Sequence, residues 1–228
     1  LREPDMTPLG FDEDPNMLFV AQRLDGRTAV YSIDISNPQV PPTLRASHAL
    51  YDIEGSLIYS SWLKQVVGVR SRLDESASIY WNPKAKALQT RVDLALPGRI
   101  NDIQGSSRNG RRHIVVSSHA TQPPQWYLYD EDLNRLILMV DGYPKLVPNE
   151  LVKPMPLTLK ARDGTVLHGY VTRPAHAQQP GPLIVLPHGG PAGRDVLDFN
   201  YWTQFLASRG WAVLQVNFRG SSGYGGEF

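Results

Sequence analysis

The chain has no cysteine among its 228 residues. That excludes disulfides, zinc–thiolate centres, iron–sulfur clusters and thiol nucleophiles. It leaves the compartment open between cytoplasm and periplasm, with the cytoplasm as the slightly preferred expectation. No apolar run approaches the roughly 18 residues of a membrane-spanning helix, so no membrane partner is expected. Net charge is nearly absent as well: 23 Lys and Arg against 22 Asp and Glu leave +1, which argues against a nucleic-acid partner. No two His stand at the i, i+4 spacing of a helical zinc site. The acidic runs Asp12-Glu13-Asp14 and Asp130-Glu131-Asp132 lack the calcium-loop pattern and read as solvated turns. Neither a metal nor a cofactor is expected. The start, Leu1-Arg2-Glu3-Pro4, has neither a signal-peptide pattern nor an initiator Met, so further residues are expected upstream.

What the chain has in abundance is punctuation: 19 Gly and 19 Pro, read as turns rather than disorder. Over residues 1–148 short runs rich in β-branched and aromatic residues alternate with turns, as in Ala29-Val30-Tyr31-Ser32-Ile33, Val66-Val67-Gly68-Val69 and Trp126-Tyr127-Leu128-Tyr129. Helical periodicity is hard to find there. Tyr31, Tyr80 and Tyr129 recur at equal intervals, each close to an Asp or Asn. A period of roughly 40–50 residues with several strands per unit suggests propeller blades, about three of them. A β-sandwich with coincidental spacing is the other reading.

Residues 149–156 read as a Pro-punctuated linker, and 157–228 follow a different grammar. Two alternating runs joined at Asp163-Gly164 predict a hairpin. Leu183-Ile184-Val185-Leu186 reads as a strand buried on both faces. Tyr201–Arg209 reads as a helix with Trp202, Phe205 and Leu206 on one side, capped by Asn200 or Asp198 and ended by Gly210. Trp211–Phe218 is another strand, so strand, helix and strand make one parallel crossover.

Two loops follow these strands. Pro187-His188-Gly189-Gly190-Pro191 leaves backbone N–H groups with no side chain in the way, as an oxyanion in acyl transfer requires. Asn217-Phe218-Arg219-Gly220-Ser221-Ser222-Gly223-Tyr224-Gly225 is glycine-rich but lacks the P-loop and dinucleotide spacings. Arg219 is expected to brace neighbouring loops.

These stretches, with Arg194-Asp195, Gln204-Phe205-Leu206-Ala207-Ser208-Arg209-Gly210-Trp211 and Arg162-Asp163-Gly164, resemble the prolyl oligopeptidase family of serine peptidases, nearest its acylaminoacyl and dipeptidyl peptidase branch. The strong part covers 157–228. The resemblance implies a partial β-propeller (1–148), a linker (149–156) and the N-terminal portion of an α/β-hydrolase domain (157–228). It implies that Gly190 offers its N–H to the oxyanion within the loop His188-Gly189-Gly190, with Asn217 and Arg219 as loop support and a short peptide as substrate.

The family's Gly-x-Ser-x-Gly elbow is missing, and all six His precede Ser221, whereas the hydrolase triad runs Ser, Asp, His along the chain. Ser221 and Ser222 therefore do not read as the nucleophile. The expectation is a chain cut at both ends and inactive by itself. A binding module with a vestigial hydrolase piece and an esterase or lipase are the alternatives.

Overall fold

The computed structural model describes residues 6–175, 181–190 and 192–228. His176 and Pro191 lie outside these. The first sheet runs β1 (Met6–Phe11), β2 (Met17–Leu24), β3 (Arg27–Asp34) and β4 (Thr43–Ala46), paired in that order and antiparallel throughout. Asp25 and Gly26 turn β2 into β3 with φ of 51° and 79°, the mirror-image turn whose twist matches a hairpin. A second sheet has β5 (Leu57–Ser60), β6 (Gln65–Arg72) and β7 (Ser76–Tyr80). A third has β8 (Ile100–Ser106), β9 (Arg112–His119), β10 (Gln122–Asp130) and β11 (Arg135–Asp141).

The propeller expected over 1–148 is not found. These are three small open sheets, and none closes or curls into a ring. The tyrosine period has a simpler cause. Tyr31, Tyr80 and Tyr129 each lie on the third strand of an antiparallel meander, in β3, β7 and β10. A repeated meander produces that spacing without closure. The second meander is also a strand short, because a helix follows β7.

That helix, α1 (Pro83–Ala95), sits in the half where no helical periodicity is evident. Asn82 caps it, its side chain accepting from the N–H groups of Lys84 and Ala85, and Pro83 occupies the first turn. Its buried stripe is only Ala85, Leu88 and Val92, too narrow to stand out in the sequence. Ala85 packs with Ile58 and Val67 of the second sheet, while Leu88 and Val92 pack with Ile103 and Val115 of the third. The helix is thus the filler between two sheets. Phe19, Val30, Ile53, Val66 and Val69 join the first sheet to the second, with Trp81 stacked 5.3 Å from Phe19.

The fourth sheet has the order β12-β13-β15-β14, from β12 (Met155–Lys160), β13 (Val166–Thr172), β14 (Leu183–Val185) and β15 (Ala212–Asn217). β14 and β15 are parallel, joined through α2 (Tyr201–Ser208). The hairpin at Asp163-Gly164 and the crossover both form. β14, however, is a three-residue edge strand with Leu183 and Val185 more than half exposed, not a strand buried on both faces. α2 also presents the opposite side from the one its apolar residues suggest: Thr203, Gln204 and Ala207 are buried, while Trp202 and Phe205 are exposed. The cause is the Gln204 amide. Its oxygen accepts from Val152 N–H (2.9 Å), and its nitrogen donates to the carbonyls of Val152 (2.8 Å) and Ala120 (3.2 Å). Among the described residues no helix is long and apolar enough to cross a membrane.

Ile53, at 2 % exposure, links the first two sheets. Ile53→Ala is expected to destabilise the chain by about 2–5 kcal/mol in denaturant titration. Leu94→Ala on the outer side of α1, where Leu94 is 77 % exposed, is expected to stay within about 0.5 kcal/mol.

Candidate active-site loops

Both loops singled out in the sequence leave the carboxyl ends of the parallel pair, where open sheets place their sites. Asn217, the last residue of β15, is fully buried. Its side-chain oxygen accepts from Asp195 N–H (2.8 Å), and its amide donates to the Asp195 carbonyl (3.0 Å) and the Tyr224 hydroxyl (2.8 Å). One amide therefore ties the loop after β14 to the loop after β15. Asp195 sits in the same knot, one carboxylate oxygen accepting from Gln215 (2.7 Å) and the other buried without a partner. Burial pushes its carboxyl up, and the Gln215 hydrogen bond and the His188 ring oppose that rise.

His188 is half-buried, and Gly189 and Gly190 are exposed. The His188 ring stacks on Phe218 with centroids 4.5 Å apart. Its Nδ1 lies 2.9 Å from the Gly189 carbonyl oxygen, and its Nε2 lies 2.7 Å from Ser221 Oγ. A Cβ at Gly190 would meet the N atoms of Ala192 and Gly193 at 2.7 Å, so this turn has room only for glycine.

Arg194 is buried, and among the described residues no carboxylate hydrogen-bonds to it. Its guanidinium carbon lies 4.3 Å from the Tyr224 ring centre and 4.8 Å from that of Tyr51, and it donates to the Tyr224 hydroxyl (3.1 Å) and the Arg72 carbonyl (3.4 Å). Two aromatic faces, one hydroxyl and one carbonyl hold the cation, and its charge opposes the rise of the Glu54 carboxyl. Tyr51 and Tyr170 both donate to Asp74, at 2.8 and 3.2 Å. Burial raises the pKa of both hydroxyls, and the Asp74 carboxylate adds to the rise. From the other side, Asp52 accepts from Gly225 N–H (2.6 Å), and its own N–H donates to the Gly223 carbonyl (2.9 Å). A cavity of about 490 Å³ lies between the second sheet and these loops, lined by Glu54, Arg70, Arg72, Asp102, Arg194 and Ser222. Burial, followed by the nearby Asp52 charge, raises the Glu54 carboxyl.

The structure thus brings His188, Gly189, Gly190 and Asn217 together. Arg219 points away, exposed, and pairs with Asp163 in the β12–β13 turn. Sequence reasoning weighs Ser221 only as a nucleophile, quotes Tyr224 only as part of its loop, and passes over Tyr51 and Asp52. The density of Gly, Ser and Tyr after β15 signals Ser221 and Tyr224, and nothing local signals Tyr51 or Asp52. Two Ser–His contacts occur among the described residues, and neither is a triad. Ser106 and His113 are 2.7 Å apart, but His113 is fully buried and Glu131 stands 3.6 Å from its far nitrogen. His188 has a backbone carbonyl, not a carboxylate, on its Nδ1. Also among the described residues, no group of three or more His, Asp or Glu is placed to hold a metal ion.

No family model matches the chain. Over 232 aligned residues it is 32 % identical to dipeptidyl aminopeptidase BIII of Pseudoxanthomonas mexicana, covering 97 % of this chain and 33 % of that protein. It is 31 % identical to dipeptidyl peptidase family member 6 of Caenorhabditis elegans over 60 % of this chain and 22 % of that one. Among solved structures, a puromycin-hydrolyzing peptidase of Mycobacterium tuberculosis superposes with a TM-score of 0.66 at 21 % identity, covering 96 % of this chain and 34 % of that one. It is homology, and not a catalytic triad among the described residues, that supports membership in a serine-peptidase family. Across most of its length the chain matches, at the family level, the prolyl oligopeptidase family. It spans about a third of the length of the Pseudoxanthomonas relative.

The Asp163 carboxyl is held down to about 2, first by the Thr165 N–H and hydroxyl and then by Arg219. NMR titration of Arg219→Ala is expected to raise it only part of the way to the ordinary carboxylate range. Because the folded value lies below the unfolded one, whatever stability this group contributes is present above pH ~4 and is lost as pH falls through about 2.

Proposed function

We propose that the protein containing this chain is a serine peptidase that releases dipeptides from short peptides through an acyl-enzyme. In this reading 157–228 are the opening part of the hydrolase domain. The nucleophile elbow and triad come from sequence other than these 228 residues. The observation that carries the proposal is the pair of exposed glycines, Gly189 and Gly190, at the carboxyl end of β14, in a chain matched over most of its length to a serine-peptidase family. Gly190 N–H binds the oxyanion together with the N–H after the nucleophile. Both curated relatives described above are named for dipeptidyl activity, which supports a dipeptidyl substrate over an ester. The cavity beside Arg194, at about 490 Å³, is within the size range of small-ligand sites.

The test is hydrolysis of dipeptidyl chromogenic amides. The full-length protein is expected to turn them over and to be blocked by a serine-directed phosphonate, whereas the 228-residue chain does neither. Gly190→Ala keeps the backbone N–H but forces this turn to shift, and in the full-length protein it is expected to lower kcat by about tenfold or more. Efficient turnover by the 228-residue chain, or none by the full-length protein, overturns the proposal.

A further inference from the structure

Ser221 lies in a loop that the proposed chemistry does not use, and its side chain is not idle. Its Oγ is 2.7 Å from His188 Nε2. The far nitrogen of the ring, Nδ1, is 2.9 Å from the Gly189 carbonyl oxygen. A carbonyl oxygen only accepts, so Nδ1 carries the proton. In the neutral ring Nε2 is then the acceptor, and the Ser221 hydroxyl donates to it. The proton order is therefore fixed from Ser221 through the imidazole to the Gly189 carbonyl.

The Gly189 carbonyl shares a peptide unit with the Gly190 N–H. In a planar trans peptide these two bonds point in opposite directions. Holding one aims the other. We propose that Ser221 is a positioning residue: through His188 it pins the Gly189 carbonyl and so points the Gly190 N–H outward at the developing oxyanion. This rests on the reading of Gly190 as an oxyanion donor.

Several contacts make the relay rigid. Phe218 holds the face of the imidazole. Ser221 N–H donates to the Phe218 carbonyl (2.9 Å), and Ser222 N–H donates to the Gly193 carbonyl (3.1 Å). Gly193 completes the fit, since a Cβ there would lie 2.4 Å from the Gly189 oxygen and 3.1 Å from His188 Nδ1. Hydrogen bonds in series also polarise one another, which makes the Gly190 N–H a better donor. The same Ser–His contact would suit a nucleophile and its base, but Ser221 is only 4 % exposed, out of a substrate's reach.

Two measurements test the proposal. In ¹⁵N-histidine-labelled full-length protein, His188 is expected to be protonated on Nδ1. Ser221→Ala is expected to shift both the ring nitrogens and the Gly190 amide, and Ser221→Thr, which keeps the hydroxyl, to return them toward wild type. With peptide substrate, Ser221→Ala is expected to lower kcat about tenfold with KM little changed. The donor is misaimed rather than removed, and it acts mainly in the transition state. A Gly190 amide unmoved in Ser221→Ala, a loss carried by KM instead of kcat, or phosphonate labelling of Ser221 overturns the inference. If the full-length protein hydrolyses no peptide, the functional reading fails, and the NMR shifts still decide the role of Ser221.

Discussion

Everything at the candidate site hangs on a side-chain amide that water cannot reach. Asn217 closes β15, and its three hydrogen bonds fix where the loop after β14 ends and where the loop after β15 turns back. A buried amide left partly unpaired costs more than the bonds themselves contribute. The two loops therefore share one geometry and do not sample separate ones. An acidic residue at 217 could accept but not donate, and would leave the Asp195 carbonyl facing a charge without a donor.

Around that amide the loops are docked onto the β-sheets by polar groups rather than by an apolar seam. Asp52 captures the backbone of Gly223 and Gly225, while Arg194 lies between Tyr51 and Tyr224. Breaking a buried polar contact exposes an unpaired partner, so such a seam has few alternative registers. Specificity of docking, more than strength, is what this chemistry supplies.

The parts of the fold legible in the sequence were those set by local chemistry. The Asp163-Gly164 hairpin, the Asn200 cap and the parallel crossover follow from turn and capping preferences that act over a few residues. The misreadings came from tertiary context. The tyrosine spacing marked a repeated meander, and closure into a ring is a property of sheet edges that no local pattern encodes. α1 is announced only by the Asn82-Pro83 cap, since its buried stripe of Ala85, Leu88 and Val92 is too narrow to show as helical periodicity. α2 turned a polar side inward because Gln204 met three backbone partners from distant segments. At the site, the glycines and His188 stood out as a motif. Ser221 was judged only as a nucleophile, and its contact with His188 spans 33 positions that sequence spacing cannot bridge.

Gln204 has a mechanical corollary. The Pro-rich stretch before β12 looks like a tether free to swing, yet both polar groups of Val152 are held by the same amide that also grips Ala120 at the β9–β10 turn. Two distant segments meet in one side chain, so a change of the Gln204 rotamer disturbs its contacts with Val152 and Ala120 together.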